Sequence, residues 1–333
     1  MICDPENWFV AARSDQVKRQ PIRRFVLERP IVLFRDSKGA VAALEDRCPH
    51  KHVALSLGRV VGDSIECPYH GLCFDGGGRC TVQPACAPQE RRFSKAARCF
   101  PAVEQDDWIW VYLGAAPACS RPPRYAKTRT HGWFELHNLI QAPMELVLEN
   151  GLDCSHTGIV HHGLFRSYPS QVVTSRIEET PTGVKVVTTG ERASGKLDAT
   201  AVAGAGAEIE HVDEFIRPHT IKVDYRVGRS HFVTILVCTP ETATRTRAYT
   251  RQGVLVPPVT ALATLVSAIV TRRVVAQDRR ILENQSAQIA LFGEPAHPTT
   301  NADAPTRWLR RTLRPRLSSP TRSVAREEVQ YTL

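Results

Sequence analysis

Cys48-Pro49-His50 and Cys67-Pro68-Tyr69-His70 constrain this chain more than any other feature. Two cysteines and two histidines arrive as two compact pairs, separated by residues 51–66. Each pair can sit on one loop, and strands in the intervening segment can bring the loop tips together. That geometry suits a tetrahedral zinc site or a two-iron cluster. In a two-iron cluster the thiolates would hold one iron and the imidazoles the other. Neutral imidazoles in place of two thiolates raise the reduction potential.

A β scaffold is legible around these pairs. Residues 25–35, FVLERPIVLFR, are apolar and β-branched, and turn residues follow at Asp36-Ser37-Lys38-Gly39. Val41 to Leu44 resumes the apolar run, so a hairpin is expected. Trp108 to Leu113, WIWVYL, reads as an aromatic strand. Pro117 to Pro123, PACSRPP, has linker composition. With 333 residues, two domains are the default. Beyond the linker, Gln141 to Leu148 looks helical. Runs such as GVKVVTT, TIKVDYRV and HFVTILVCT predict a second, larger antiparallel sheet over about 171–256. Ile281, Leu282, Gln285 and Ile289 recur at helical spacing in a helical stretch over 261–292. The tail reads as loops and short helices.

Hydrophobic residues make up 42% and charged residues 23%, which excludes a disordered or collagen-like chain. MICDPENWFV lacks the basic start and apolar run of a secretion signal, so the cysteines read as cytoplasmic thiols. Val254 to Val270 carries no charge, but it contains Pro257, Pro258 and hydroxyl residues. A spanning helix needs ~20 mostly apolar residues, so a buried or capping helix is expected instead of a membrane contact.

A second constellation lies in residues 149–163, ENGLDCSHTGIVHHG. Asp153, His156 and His161 have the spacing D-x2-H-x4-H. Two imidazoles and one carboxylate on one side of a metal leave positions open for O2 and substrate. In an ideal helix, residues i and i+5 lie about 140° apart, so a local distortion is needed. Gly158 is a permissive place for it. His162 competes with His161 for the role. Asp278, in QDRRILENQ, taken alone reads as a surface helix carboxylate.

The wording CPHKH and CPYHG, followed by D-x2-H-x4-H, resembles the Rieske non-haem iron oxygenases. Zinc ribbons usually space their pairs differently. Respiratory Rieske proteins carry extra cysteines that bridge beside the cluster, and the matching positions here are Val53 and Tyr69. The resemblance implies an α+β chain. An all-β Rieske [2Fe–2S] domain would span 1–116 and a linker 117–124. A catalytic domain, an antiparallel sheet with helices in a helix-grip-like arrangement, would span 125–333. Cys48, His50, Cys67 and His70 would hold the cluster. Mononuclear Fe(II) would be held by His156, His161 and Asp278, with Glu283 and Gln285 on the helix of Asp278. Asp153 would bridge electrons across a subunit contact, and Asn150 would sit beside the iron.

The implied activity is that of a terminal oxygenase component. It would use O2 to hydroxylate or oxidatively demethylate a small to mid-sized organic substrate, aromatic or alkaloid-like. The resemblance extends to vanillate-type O-demethylases and hydroxylases of saxitoxin-like alkaloids. It implies a head-to-tail homotrimer in which a neighbour's cluster serves each iron. No G-x-G-x-x-G occurs, so the nicotinamide belongs on a separate NAD(P)H reductase, with or without a ferredoxin. The alternatives are an arene cis-dihydroxylating dioxygenase and a Rieske electron carrier lacking the second iron. Two positions depart from the family: Leu72 follows Gly71 where Trp is common, and His52 stands where Gly is common.

The remaining cysteines, Cys3, Cys73, Cys80, Cys86, Cys99, Cys119, Cys154 and Cys238, repeat no ligand pair and read as ordinary thiols. The histidines outside the motifs read as surface or satisfied core groups, with His219 or His231 able to face a substrate cavity. A net charge of +9, densest in RWLRRTLRPR at 307–316, reads as a solvated basic face. An acidic protein partner is the next reading. Aromatic and basic residues do not interleave repeatedly, so no nucleic-acid partner is expected.

Overall fold

The computed structural model describes residues 4, 6–84, 87, 94–115, 121–164, 171–193, 206–295, 300–313 and 326–333. Residues 117–120 of the expected linker, Cys3, Cys86, Cys119, His297, Arg314 and Arg316 lie outside the described residues. The chain divides into two compact units: residues 3–126 with 239–243, and residues 127–238 with 244–333.

The first unit is β-structured. β1 (Trp8–Arg13), β10 (Ala102–Gln105) and β11 (Trp108–Tyr112) form one sheet in the order β1-β11-β10. β11 lies in the middle, and all of WIWVY is buried. A second sheet orders β2 (Ile22–Val26), β3 (Arg29–Arg35), β4 (Val41–Glu45) and β9 (Cys99–Phe100) as β2-β3-β4-β9. The β3–β4 hairpin forms as expected, with the Asp36 carboxylate accepting from the Lys38 and Ala40 amides at 2.9 and 2.8 Å. The run 25–35 is not one strand. It breaks at Leu27-Glu28, where φ is 50° and 65°, and the chain doubles back. A two-residue turn of this kind normally carries Asn or Gly, so Leu-Glu gave no signal. The third sheet orders β5 (Arg59–Val61), β6 (Ser64–Glu66), β7 (Cys73–Asp75) and β8 (Cys80–Val82) sequentially.

The second unit is an eight-stranded antiparallel sheet and its helices. The order is β12 (Gly132–Ile140), β18 (Arg245–Leu255), β17 (Ser230–Thr242), β16 (Thr220–Val227), β15 (Glu210–Ile216), β14 (Gly183–Thr189), β13 (Val172–Thr180) and β19 (Arg326–Thr332). Two of these strands correct the sequence reading. β12 pairs with β18 from Gly132 to Ile140. β19, read as part of an irregular tail, pairs with β13. REEVQYT is charged and buries only Val329, which suits an edge strand and hides it from a hydrophobic-run search.

α1 (Met144–Leu152) starts after Gln141 because Pro143 holds the N-cap in an extended conformation. α2 (Thr157–Val160) follows at once. α3 (Thr260–Phe292) is the long helix. The uncharged stretch 254–270 divides between the end of β18, the Pro257-Pro258 pair and the first turns of α3. Among the described residues no helix is long and apolar enough to cross a membrane. α4 (Ala304–Leu313) revises the reading of the basic stretch as a solvated face. Trp308 and Leu309 are buried, Arg307 pairs with Glu327 at 3.0 Å, and Arg310 pairs with Glu149 at 2.7 Å.

Candidate functional site

The two Cys/His loops of the first unit are built alike. The Cys48 amide donates to the Val53 carbonyl, and the Cys67 amide to the Leu72 carbonyl, both at 2.8 Å. The His52 amide closes back on the Cys48 carbonyl at 2.8 Å, and the Gly71 amide on the Cys67 carbonyl at 3.1 Å. The closing residue is left-handed in each loop, with φ 62° at His52 and 70° at Gly71. His52 therefore occupies a conformation that favours glycine. The loops bring both thiols into one buried core with Leu72, Phe74 and Leu44. His50 and His70 meet nearer the surface, ring centroids 4.7 Å apart. Burial pushes the Cys48 thiol up to about 11, and the Cys67 sulfur adds to the rise. Two buried sulfurs held side by side suit a cation bound between them. The donor set, paired buried sulfurs and paired outer imidazoles, fits a [2Fe–2S] cluster ligated by two Cys and two His.

The second constellation gathers in the second unit. The ligand atoms of His156, His161 and Asp278 all lie within 4.8 Å of one another. Asp278 Oδ1 is 3.1 Å from His161 Nε2 and 3.4 Å from His156 Nε2. His161 is buried, whereas His162 points outward. The distortion that separates His156 from His161 is not at Gly158. α2 is a single turn, and the chain leaves it at His161, with φ −106° and ψ 24°. Burial disfavours charge on His156, but Asp153 and Asp278 outweigh it and raise the ring to about 9. Burial likewise opposes ionised Asp278, yet the two rings bring it down to about 2. Among the described residues, His156 Nδ1 has no partner within hydrogen-bond distance. Two imidazoles and a carboxylate that converge in this way fit non-haem ferrous iron.

Asp153 caps α1 rather than joining the three. Its Oδ1 accepts from the Ser155 amide and hydroxyl at 2.7 Å, and its Oδ2 lies 3.6 Å from His156 Nδ1. Burial works to raise its carboxyl, but His156 and Ser155 hold it below the ordinary value. The Asn150 amide reaches both His156 Nε2 and Asp278 Oδ1 at 3.4 Å. Glu283 accepts from the Gln141 amide at 3.1 Å and from Arg279 at 2.9 Å, tying α3 to the start of α1. Gln285 is exposed and takes no place at the site.

These residues open on a cavity of about 260 Å³ within the second unit. One wall is α3, where Val266, Val270, Val274, Asp278 and Leu282 recur every fourth residue. Asp278 is a carboxylate on an apolar row. Opposite lie alternate residues of the sheet, among them Phe232, Thr234 and Leu236 of β17. His219 and His231 do not line it. His219 is buried against Thr220, and His231 bonds Asp224 and His131.

Two features escaped the sequence reading. Gln277 Oε1 lies 2.9 Å from His161 Nδ1 and orients that ring, and its only signal was adjacency to Asp278. Cys154, His211 and Asp213 form a second buried group that could hold a metal ion. Strand alternation in EHVDEFI, which puts His211, Asp213 and Phe215 on the buried face, could have found it.

Comparison with known proteins places these features. Residues 7–101 match the Rieske [2Fe-2S] domain. Residues 140–317, more than half of the chain, match the vanillate O-demethylase oxygenase C-terminal domain. The chain is 36% identical over 164 residues to the oxygenase component of dicamba O-demethylase from Stenotrophomonas maltophilia, covering 46% of each protein. It is 32% identical over 169 residues to the oxygenase component of chloroacetanilide N-alkylformylase from Rhizorhabdus wittichii (strain DC-6 / KACC 16600), covering 48% of this chain and 47% of that protein. The matched stretch thus spans about half the length of these relatives. In fold, it superposes on the crystal structure of dicamba monooxygenase bound to 3,6-dichlorosalicylic acid with a TM-score of 0.80, over 94% of this chain and 96% of that one, at 22% identity. The Pseudomonas putida CBB5 NdmA QL mutant with caffeine gives 0.73, over 93% and 89%, at 20% identity. Buried paired thiols, outer paired imidazoles and a two-histidine carboxylate site stand where these matches fall, and the chain belongs to the Rieske oxygenases with a vanillate O-demethylase-type C-terminal domain.

Proposed function

We propose that this chain is the terminal oxygenase component of a multicomponent system that hydroxylates or oxidatively demethylates a small to mid-sized organic molecule. The observation that carries this reading is the convergence of His156, His161 and Asp278 on one cavity. A Rieske electron carrier would need neither. The relatives named as an O-demethylase and an N-alkylformylase oxygenase support removal of an alkyl group. In this reading residues 1–116 form the cluster domain, 117–124 the linker and 125–333 the oxygenase domain.

Cys48, His50, Cys67 and His70 hold the [2Fe–2S] cluster, and His156, His161 and Asp278 hold the mononuclear iron. When bound, the iron supplies the chemistry of O2 reduction and substrate oxidation. The protein's own groups set the conditions. Gln277 fixes the His161 ring through Nδ1, so that Nε2 faces inward. Asn150 steadies both His156 and Asp278 from one amide. Val270 and Val274 give the cavity an apolar wall beside Asp278.

Asp153 is the electron bridge in this reading. Ser155 fixes one of its oxygens and His156 Nδ1 lies near the other. A carboxylate so placed can also accept from His70 of a neighbouring copy, in keeping with the homotrimer that the family resemblance implies. Electrons enter from a separate NAD(P)H-dependent reductase, with or without a ferredoxin. Asp153→Asn tests the assignment. The variant should retain all its iron and bind substrate, while single-turnover oxidation of the reduced cluster slows by orders of magnitude. If Asp153 merely caps the helix, the asparagine oxygen can accept from Ser155 in its place, so stability changes little and the rate is unchanged.

A further inference from the structure

The cavity has a polar group on β18 that the oxygenase reading does not use. Ala248, Thr250 and Gln252 alternate along the strand and line the cavity. Arg251 falls on the other face of the sheet and pairs with Glu135 at 2.8 Å. On the facing helix, the Thr271 hydroxyl donates to Gln252 Oε1 at 2.8 Å. Thr271 precedes Asp278 by two turns on the same face of α3, or about 10 Å along the axis. Val274 and Val275 line the stretch between them. Beyond Thr271, Val266 lines the cavity and is 41% exposed, so that end meets solvent.

The bond to Thr271 decides what Gln252 can offer. A glutamine amide has one oxygen and two N–H donors. With the oxygen engaged by the helix, the nitrogen is the end left over. Among the described residues no group accepts from Nε2, and the atom is not sealed inside the protein. Gln252 is only 9% exposed and lines the cavity, so the access that remains is to the cavity. A ligand that supplies an acceptor there makes a hydrogen bond shielded from bulk water, and one without an acceptor leaves the donor unpaired. Among the described lining residues there is no lysine or arginine, so a carboxylate at this place would find no cationic side chain. A neutral oxygen acceptor fits the group better.

We propose that Gln252 sets the choice of substrate: its Nε2 donates to a carbonyl oxygen of a neutral molecule whose oxidisable carbon lies towards His156, His161 and Asp278. The hydrogen bond takes up about 3 Å of the separation along α3, which leaves roughly 7 Å between the carbonyl oxygen and that carbon. Thr271 is a positioning residue, because it holds the amide with nitrogen rather than oxygen towards the ligand. The place of the oxidised carbon rests on the oxygenase reading, but the preference for a carbonyl does not.

The test is equilibrium dialysis at pH 7 of the iron-loaded protein, with no reductase present, against three probes of similar shape. Para-methoxyacetophenone carries the carbonyl, para-ethylanisole lacks it, and para-methoxybenzoate carries an anion in its place. The ketone is expected to bind about fivefold tighter than para-ethylanisole, with the benzoate weakest. Gln252→Met, close in volume, should abolish the ketone's advantage and leave the affinity for para-ethylanisole within about twofold of wild type. Thr271→Val keeps the donor but frees the amide to turn, so the advantage should shrink without vanishing. If the pair only latches α3 to the sheet, both variants weaken all three probes in the same proportion, and that result overturns the inference. So does wild-type protein that binds para-ethylanisole or the benzoate as tightly as the ketone, or that fails to bind the ketone. The wild-type series decides the matter even where a variant does not fold. Iron analysis separates the two readings. A full complement of iron without ketone preference sinks this inference alone. Ketone preference without mononuclear iron sinks the oxygenase reading alone.

Discussion

The two histidine-bearing constellations of this chain are built in opposite ways. The cluster loops are local: each holds its Cys and His within a few residues and closes with its own backbone hydrogen bonds. The second site draws His156 and His161 from a single helical turn and Asp278 from the middle of a helix more than a hundred residues later. A site closed by its own loop can be read from spacing. A site closed by packing depends on the sheet and helices that bring its parts together. The difference also implies different failures. Loss of a cluster ligand should damage a folding core, whereas loss of an iron ligand should leave the fold standing.

The largest expected effect is therefore at Cys67→Ala. Cys67 lies in the same buried core as Leu44 and Phe74, and ligand binding there is coupled to folding. The visible colour and the near-ultraviolet circular dichroism of the first unit should both be lost. Retained colour would break the comparison. Asp278→Ala comes next. Turnover should fall below detection while the absorption of the cluster and the melting of the protein stay close to wild type. Gln277→Leu sharpens the comparison further, because it removes only the bond that orients His161. Iron affinity at the second site should drop by about 10–100-fold, read by competition with a chelator. The smallest effect concerns pH. His156 in the metal-free site holds its proton up to about pH 9, so iron must displace it. Apparent affinity should rise by about tenfold per pH unit up to that value and then level off. A flat profile between pH 6.5 and 9 would show that His156 is not a ligand.

Legibility followed the same division. The β scaffold around Cys48 and Cys67 could be read from β-branched runs and turn residues. The turn at Leu27-Glu28 could not, because neither residue advertises a left-handed conformation. β12 and β19 join the second sheet through pairing partners far away in sequence, so their own residues carry little signal. Asp278 as a ligand came only through family resemblance, and as a bare sequence feature it looked like a surface carboxylate. The structure supplies the missing cue, since Asp278 falls in line with Val270 and Val274 on the cavity wall. Gly158 drew attention as the point of distortion by residue type alone, while the chain bends at His161. Strand alternation offered His211 and Asp213, and reading histidines one at a time missed them.

The most direct measurement is the iron content of the purified wild-type protein, taken with the electron paramagnetic resonance spectrum of its reduced cluster. Three irons per chain and a Rieske-type signal are expected, with Asp278→Ala retaining the signal and two irons. Wild-type protein that saturates at two irons, or that holds zinc at Cys48 and Cys67, would contradict the assignment of both constellations to one oxygenase.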